Sequence, residues 1–439
     1  MAREGDLSSR GYAEDLPLGI ATQVADNANA PITKKGTNAD SAGALPQKPQ
    51  KPQKPQKQRR VFMKMVPGLG AQKVFGVAWF LPTWLRAFLL TLLVATASAA
   101  LAQKSSSATA ASHAEWPQLS PGKAAKALQL FGGLATRIES QYTDVRSVVV
   151  VQDGQLTFEY YRRGIAADTL QDTQSVTKSV LALLVGQALK SGQIKRVDQL
   201  VAELVPELAR AHPDPRASQL RIAHLLTMTA GWPGAQFSQR DLDDNVAWIT
   251  RRPFVASPGN QFNYDNGAAN LLAIALSRAV GKPVSEFARE QLFTPLGIRH
   301  FSWAKGANGY DLGALGLRLG TRDMARLGEL ALGQGKWGSN TLVPSEFMRA
   351  ATSTRNSGGP PLGTPYGYLW WVANSAPDRG ATHKPFVASG HGGQWIWVYP
   401  ELNLVVAATS NTSPQSMARG QAITLIRTQI LQASRALVK

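Results

Sequence analysis

Cysteine is absent from all 439 residues. The chain therefore has no disulfide, no thiolate metal site and no cysteine nucleophile. Acidic groups are scarce as well: 29 Asp and Glu stand against 47 Lys and Arg, a formal net charge of +18. The excess is spread along the chain, +7 in residues 1–102 and +11 in the rest. Positive charge on this scale attracts nucleic acid, anionic lipid or acidic wall polymers. No helix-turn-helix, zinc-finger or RNA-binding signature focuses it, so the expectation is a diffusely basic surface without a nucleic-acid partner. What the chain does have is apolar residues, 44% of the total, enough for a sizeable core.

Composition divides the chain into four parts. Residues 1–60 are poor in large apolar side chains, and Gln47–Lys57 repeats Lys-Pro-Gln. Proline at every third position favours an extended, solvated chain, so a disordered low-complexity region is expected here. Residues 61–102 read as a signal peptide or membrane anchor. Arg59, Arg60, Lys64, Lys73 and Arg86 precede the uncharged run Ala87–Ala102, which ends in the small-x-small pattern Ala100-Leu101-Ala102. The run is shorter than the ~20 residues of a spanning helix, which favours cleavage after Ala102. Export to the periplasm follows, or attachment to the outer face of the inner membrane if residues 87–102 are retained. Met63 and Met65 are alternative starts to Met1, and Arg59-Arg60-Val61-Phe62-Met63-Lys64 resembles a twin-arginine export motif. Residues 103–120 form a linker, and 121–439 the folded domain.

Periodicity sketches that domain. A helix is expected around Ala124–Tyr142, then strands Ser147–Gln152 and Gln155–Arg162 joined by an Asp153-Gly154 hairpin turn. Helical apolar faces follow at Gln174–Leu189, Ile222–Thr229, Gly267–Val280 and Thr321–Leu332. Strands return at Tyr366–Ala373, Gly393–Tyr399 and Leu404–Ser410, with Gln415–Leu437 as a closing helix. Strands at both ends with helices between them imply an α/β (α+β) fold. One antiparallel sheet is built from both ends of the domain, with flanking helices and an inserted, mostly helical lobe. A cleft beside that lobe is the natural site.

Three features carry chemistry. Ser175 and Lys178 lie one helical turn apart at the start of an apolar helix. A buried helix start strips water from the ammonium, and the positive end of the helix dipole disfavours it, so Lys178 is a candidate base for a Ser175 nucleophile. The Ser-x-x-Lys spacing also occurs at Ser120/Lys123 and Ser302/Lys305, but without a buried helix behind it. Tyr264-Asp265-Asn266 precedes another helix; the phenol is placed to relay a proton, and the amide to orient the lysine and a substrate carbonyl. His391-Gly392-Gly393-Gln394 precedes an aromatic strand, where paired glycines let a substrate lie on free backbone N–H groups. Each pattern alone is also that of an ordinary cap, turn or bulge. Trp370, Trp371, Trp395 and Trp397 either line a pocket or, as alternating strand aromatics more often do, fill the core.

In this order the motifs resemble those of the serine β-lactamase and penicillin-binding-protein superfamily. The likeness is to its esterase and 6-aminohexanoate-dimer hydrolase branch, and runs over roughly residues 130–437. It rests on Gln174–Val180, His224–Gly231, Pro258-Gly259 with Tyr264–Asn266, Tyr366–Trp371 and Gly390–Gln394. The resemblance implies that Ser175 is acylated, that Lys178 and Tyr264 share the proton transfers, and that Asn266 lies near the substrate amide. It implies an oxyanion hole from the N–H groups of Ser175 and Gln394, with His391, Gly392 and Gly393 along the substrate, and no metal or cofactor. His391 stands where β-lactamases and D,D-peptidases carry a lysine for the substrate carboxylate, which favours esters or small amides over β-lactams and peptidoglycan. The competing readings are a β-lactamase or D,D-peptidase, and a binding protein that keeps the fold without catalysis. Oligomeric state leaves no mark in the sequence.

Overall fold

A computed structural model describes residues 115–234, 246–374 and 383–439. The proposed disordered region, signal or anchor and most of the linker lie outside them.

The first helical segment is two helices, α1 (Pro121–Phe131) and α2 (Leu134–Gln141). Gly132-Gly133 divides them, with Gly133 at φ 81°, a conformation that a side chain would strain. Strands β1 (Val145–Gln152) and β2 (Gln155–Tyr161) pair through Asp153 and Gly154, at φ 53° and 67°. Two positive φ values are what the expected tight hairpin turn requires.

After the short β3 (Gln171–Asp172) comes α3 (Val176–Lys190). Val176 to Ala188 are all buried, so this helix is central, with no wet face. Next are α4 (Ile222–Leu226), α5 (Asn266–Val280) and the strands β4 (Ser302–Trp303) and β5 (Leu317–Leu319), which join β3 in a small sheet. Helix α6 (Thr321–Leu332), the hairpin β6 (Lys336–Trp337) and β7 (Asn340–Thr341), and α7 (Ser345–Ala351) lead back to the main sheet.

That sheet has eight strands in the order β2-β1-β13-β12-β11-β10-β9-β8. Its late members are β8 (Asn356–Gly359), β9 (Thr364–Tyr366), β10 (Trp371–Val372), β11 (Phe386–Gly390), β12 (Gln394–Tyr399) and β13 (Leu404–Ser410). All pairs are antiparallel, and β1 lies against β13. The sheet is thus assembled from both ends of the domain, as the pattern of strands implied. The expected strand Tyr366–Ala373 is instead a reversal: Gly367 N–H donates to Trp370 O at 2.8 Å and Leu369 takes φ 57°. The closing helix is also broken, at Gly420 (φ 56°), before α8 (Gln421–Leu425) and α9 (Leu431–Leu437).

β13 is buried along its whole length because helices cover both faces. On one, Ser147 links Thr321 of α6 to Thr409 at 2.6 and 2.5 Å, and Gly328 faces Val405 and Ile396. On the other, Gln152 Nε2 donates to Ser434 O in α9 at 3.2 Å. The four tryptophans are core: Trp370, Trp371, Trp395 and Trp397 are 1–7% exposed.

Candidate active site

The chain reaches Ser175 through a pinned turn. Thr173 N–H and Oγ1 both donate to Leu317 O in β5, at 3.0 and 2.7 Å. Gln174 takes φ 51°, and Asp172 fixes it by accepting its N–H (2.9 Å) and its Nε2 (2.8 Å). A positive φ at a residue with a side chain costs energy and persists where surrounding contacts enforce it. Ser175 then begins α3, partly exposed, with no capping bond from its side chain.

Lys178 points back from the first turn and is 1% exposed. Its Nζ donates to Asn266 Oδ1 at 2.8 Å and Ala314 O at 2.7 Å, and lies 3.0 Å from Ser175 Oγ. Burial lowers its pKa to about 7, with the Asp265 carboxylate acting the other way. A neutral amine has two N–H groups and one lone pair. The two carbonyl-type oxygens take the N–H groups, which leaves the lone pair for the serine hydroxyl.

Each acceptor is itself held. Asn266 opens α5 and is buried. Ala314 is fixed from the same helix one turn on, where Asn270 Oδ1 accepts the N–H groups of Gly313 and Ala314, both at 3.0 Å. Gly313 tolerates no side chain, since a Cβ would lie 2.1 Å from Ala269 O.

Tyr264 sits just before α5. Its ring lies 4.9 Å from Lys178 Nζ and stacks on Trp371 at 5.6 Å. Desolvation pushes its pKa up to about 12, against a hydrogen bond with the Ser175 hydroxyl. Ser175, Lys178, Tyr264 and Asn266 therefore converge around the Lys178 amine.

The glycine motif differs from its expectation. β11 ends at Gly390, and Gly393 N–H donates to Gly390 O at 3.2 Å. Gly392 (φ 80°) is the third residue of that turn, which a type II turn reserves for glycine. His391, Gly392 and Gly393 are thus the bend between β11 and β12, and the strand positions before Gly390 are Ala388 and Ser389. Gln394 is buried; its Nε2 donates to Ser410 O at 2.9 Å and its Oε1 accepts Ser410 N–H at 3.1 Å, tying the bend to β13. The residue that meets the nucleophile turn is Gly390, where a Cβ would lie 2.4 Å from Thr173 O.

His224 is structural, its Nδ1 accepting Arg221 N–H at 3.2 Å. Sequence reasoning missed Ala314, Asn270, Asp172 and the buried partner of Asp265, which is Arg252. The sole local signal was an aspartate in a helix-capping position.

The eight-stranded sheet, its covering helices and their order are those of the β-lactamase fold, and the family match places the chain among the hydrolases of that superfamily. The chain belongs to the beta-lactamase family, whose model matches residues 135–429. It is 25% identical over 307 residues to the 6-aminohexanoate-dimer hydrolase of Paenarthrobacter ureafaciens, covering 63% of this chain and 75% of that one. To the D-alanyl-D-alanine-carboxypeptidase/endopeptidase AmpH of Escherichia coli strain K12 it is 29% identical over 169 residues, 35% of this chain. That match spans 43% of AmpH, less than half its length. Among solved structures, EstCE1, a hydrolase with promiscuous acyltransferase activity, has a TM-score of 0.58 at 19% identity, over 70% of this chain and 98% of that one. A penicillin-binding protein homologue from Pyrococcus abyssi has a TM-score of 0.53 at 18% identity, over 68% and 76%. At these identities the likeness is one of fold.

Proposed function

We propose that the protein is a serine hydrolase that cleaves an ester or a small amide through an acyl-enzyme on Ser175, with Lys178 and Tyr264 moving the protons. The observation that carries this reading is the buried Lys178 Nζ at 3.0 Å from Ser175 Oγ, its other contacts taken by Asn266 and Ala314.

Neutral Lys178 takes the hydroxyl proton as Oγ attacks the substrate carbonyl. The tetrahedral oxyanion is held by the Ser175 N–H and a backbone N–H of the hairpin that Gly390 brings against Thr173. Collapse of the intermediate breaks the bond to the leaving alkoxide or amine, which receives the proton through Tyr264. Water then attacks the acyl ester by the same route, and the carboxylic acid leaves with Ser175 restored.

The choice of ester or amide rests on charge. Residues 386–394 hold neither lysine nor arginine, and burial holds the His391 imidazole below its ordinary pKa. It is therefore uncharged at neutral pH and a poor partner for a substrate carboxylate. The aminohexanoate-dimer hydrolase and EstCE1 among the relatives fit this reading.

A fluorophosphonate probe tests it. Wild type should be labelled and Ser175→Ala should not; a label that survives the substitution removes Ser175 from the mechanism. Activity on p-nitrophenyl esters, short amides and nitrocefin ranks the substrates, and fast nitrocefin turnover without ester cleavage would put β-lactams ahead of esters and amides. The composition of residues 61–102 supports action outside the cytoplasm, which cell fractionation checks.

A further inference from the structure

Directly behind the proposed acid–base residues lies a buried ion pair. Arg252 and Asp265 are 6% and 1% exposed. Arg252 Nη1 donates to both carboxylate oxygens, at 2.8 and 2.6 Å. Its Nη2 donates to Pro233 O at 3.1 Å, and its guanidinium lies 5.0 Å from the Trp232 ring and 5.3 Å from that of Trp248. Asp265 caps α5 by accepting Gly267 N–H at 2.8 Å, while its own N–H donates to Met228 Sδ at 3.4 Å. The packing leaves no slack, since a Cβ on Gly267 would lie 2.4 Å from Arg252 Nη1.

Capping alone does not account for this arrangement. Serine or asparagine caps a helix as well as aspartate does and needs no buried arginine. A buried ion pair adds little net stability, because desolvation offsets the attraction. What distinguishes this one is its place in the chain, between Tyr264, which meets Ser175, and Asn266, which accepts from Lys178.

We infer that Arg252 and Asp265 are positioning residues of the active site: they lock the corner that carries Tyr264 and Asn266, and the guanidinium balances the carboxylate behind Lys178, which leaves the amine available as a base. The inference rests on the roles proposed above for Ser175 and Lys178.

The electrostatics agree with the geometry. Asp265 is the charged group that acts on Lys178, and it favours the ammonium. The titratable side chains facing Lys178 are Ser175 and Tyr264, and Tyr366 lies behind Tyr264. The other ionisable groups on elements packed against α3 are Arg278 in α5, Arg289 and Glu290 in the turn after residue 288, Glu346 and Arg349 in α7, Tyr399 in β12 and His391 in the β11–β12 bend. Burial and the Asp265 carboxylate are what set the pKa of the amine.

The test is the pH profile of kcat/KM for a p-nitrophenyl ester, measured on the full-length protein. A base must be neutral, so activity is present above the pKa of Lys178 and lost as pH falls through it. Asp265→Asn keeps the cap and removes the charge, and should move the acidic limb down by about one pH unit, a tenfold gain in neutral lysine below it. Arg252→Lys keeps the charge balance but loses the Nη2 contact with Pro233 O; its limb should stay in place while kcat falls and KM holds. If Asp265→Asn does not fold, the double variant Arg252→Met/Asp265→Asn removes both charges together; its limb should stay near that of wild type while kcat falls through loss of the locked corner. A folded variant with an unmoved limb and full kcat overturns the inference, and so does failure of both variants to fold, which assigns the pair to stability. Failure of the underlying reading looks different: wild type then shows no acidic limb, or the Ser175→Ala protein keeps its label.

Discussion

Ser120 and Ser175 both stand at a helix start three residues before a lysine, and the two lysines lie in opposite surroundings. At Ser120 the hydroxyl is spent on capping α1, accepting Lys123 N–H at 3.4 Å. Lys123 Nζ turns outward to Asp153 and Gln155, both at 3.0 Å. At Ser175 the side chain makes no cap, and Lys178 turns inward to the hydroxyl and two buried oxygens. The third pair, Ser302 and Lys305, lies on the surface, with Lys305 Nζ 4.0 Å from Asp311. A three-residue spacing therefore does not define a nucleophile and base. A hydroxyl already used as a cap acceptor is oriented toward the backbone, and a solvated lysine stays charged. Surface pairs such as Lys123–Asp153 contribute about 0–1 kcal/mol.

The largest test of this contrast is activity. Ser175→Ala should reduce ester hydrolysis by roughly 10⁴-fold or more, and Lys178→Met by roughly 10³-fold. Ser120→Ala and Lys123→Met should leave kcat/KM unchanged. Equal losses in both regions would mean that burial is not what separates them. Tyr264→Phe comes next, with a loss of roughly 10²-fold. Its melting temperature should hold, because the ring keeps its stack on Trp371.

How much of the site was legible in the sequence follows from chain distance. Ser175 and Lys178 share one turn, and the apolar run after them showed which of three pairs is buried. Tyr264 and Asn266 also lie close in the chain, but Tyr-x-Asn before a helix reads equally as a capping loop, and it was the order of the motifs that singled them out. Ala314 was not legible, because it reaches Lys178 across 136 residues as a backbone carbonyl, which no residue type marks. Arg252 lies 13 residues from Asp265 in a polar loop, where an arginine is ordinarily a surface charge. The glycine pair was read as the lead-in to an aromatic strand whose edge takes the substrate, but Gly392 and Gly393 both have positive φ and form the bend itself. The tryptophans alternate as pocket walls and as core fillers do, so only the packing helices settle them. Three helix and strand expectations failed at Gly132-Gly133, Leu369 and Gly420, where the chain takes positive φ within or beside an apolar pattern.

Lys178 also couples folding stability to pH. Lys178 has its pKa lowered to about 7 in the folded protein, against about 10.4 in an unfolded chain. Below pH 7 both states bind the proton, and above the unfolded value neither does. Between them the unfolded state binds more protons, so folding stability rises with pH. Relative to Lys178→Met, wild type should gain about 1.4 kcal/mol per pH unit in denaturant titrations over that window.

The smallest effect reverses the order of the two serines. Ser120→Ala removes a cap from an exposed helix start and should cost about 1 kcal/mol or less, the low end fitting its 3.4 Å contact. Ser175→Ala removes no cap, and the strained turn at Gln174 is held by Asp172 and Leu317 and not by the serine hydroxyl. Its unfolding midpoint should therefore match or exceed that of wild type, as substitutions at strained functional sites often do. The serine whose loss costs stability is then not the one whose loss costs activity. Urea midpoints and ester turnover on the same two variants measure both halves of the exchange. If Ser175→Ala proved the more destabilising, its hydroxyl would be part of the scaffold, and its orientation toward Lys178 would need no catalytic explanation.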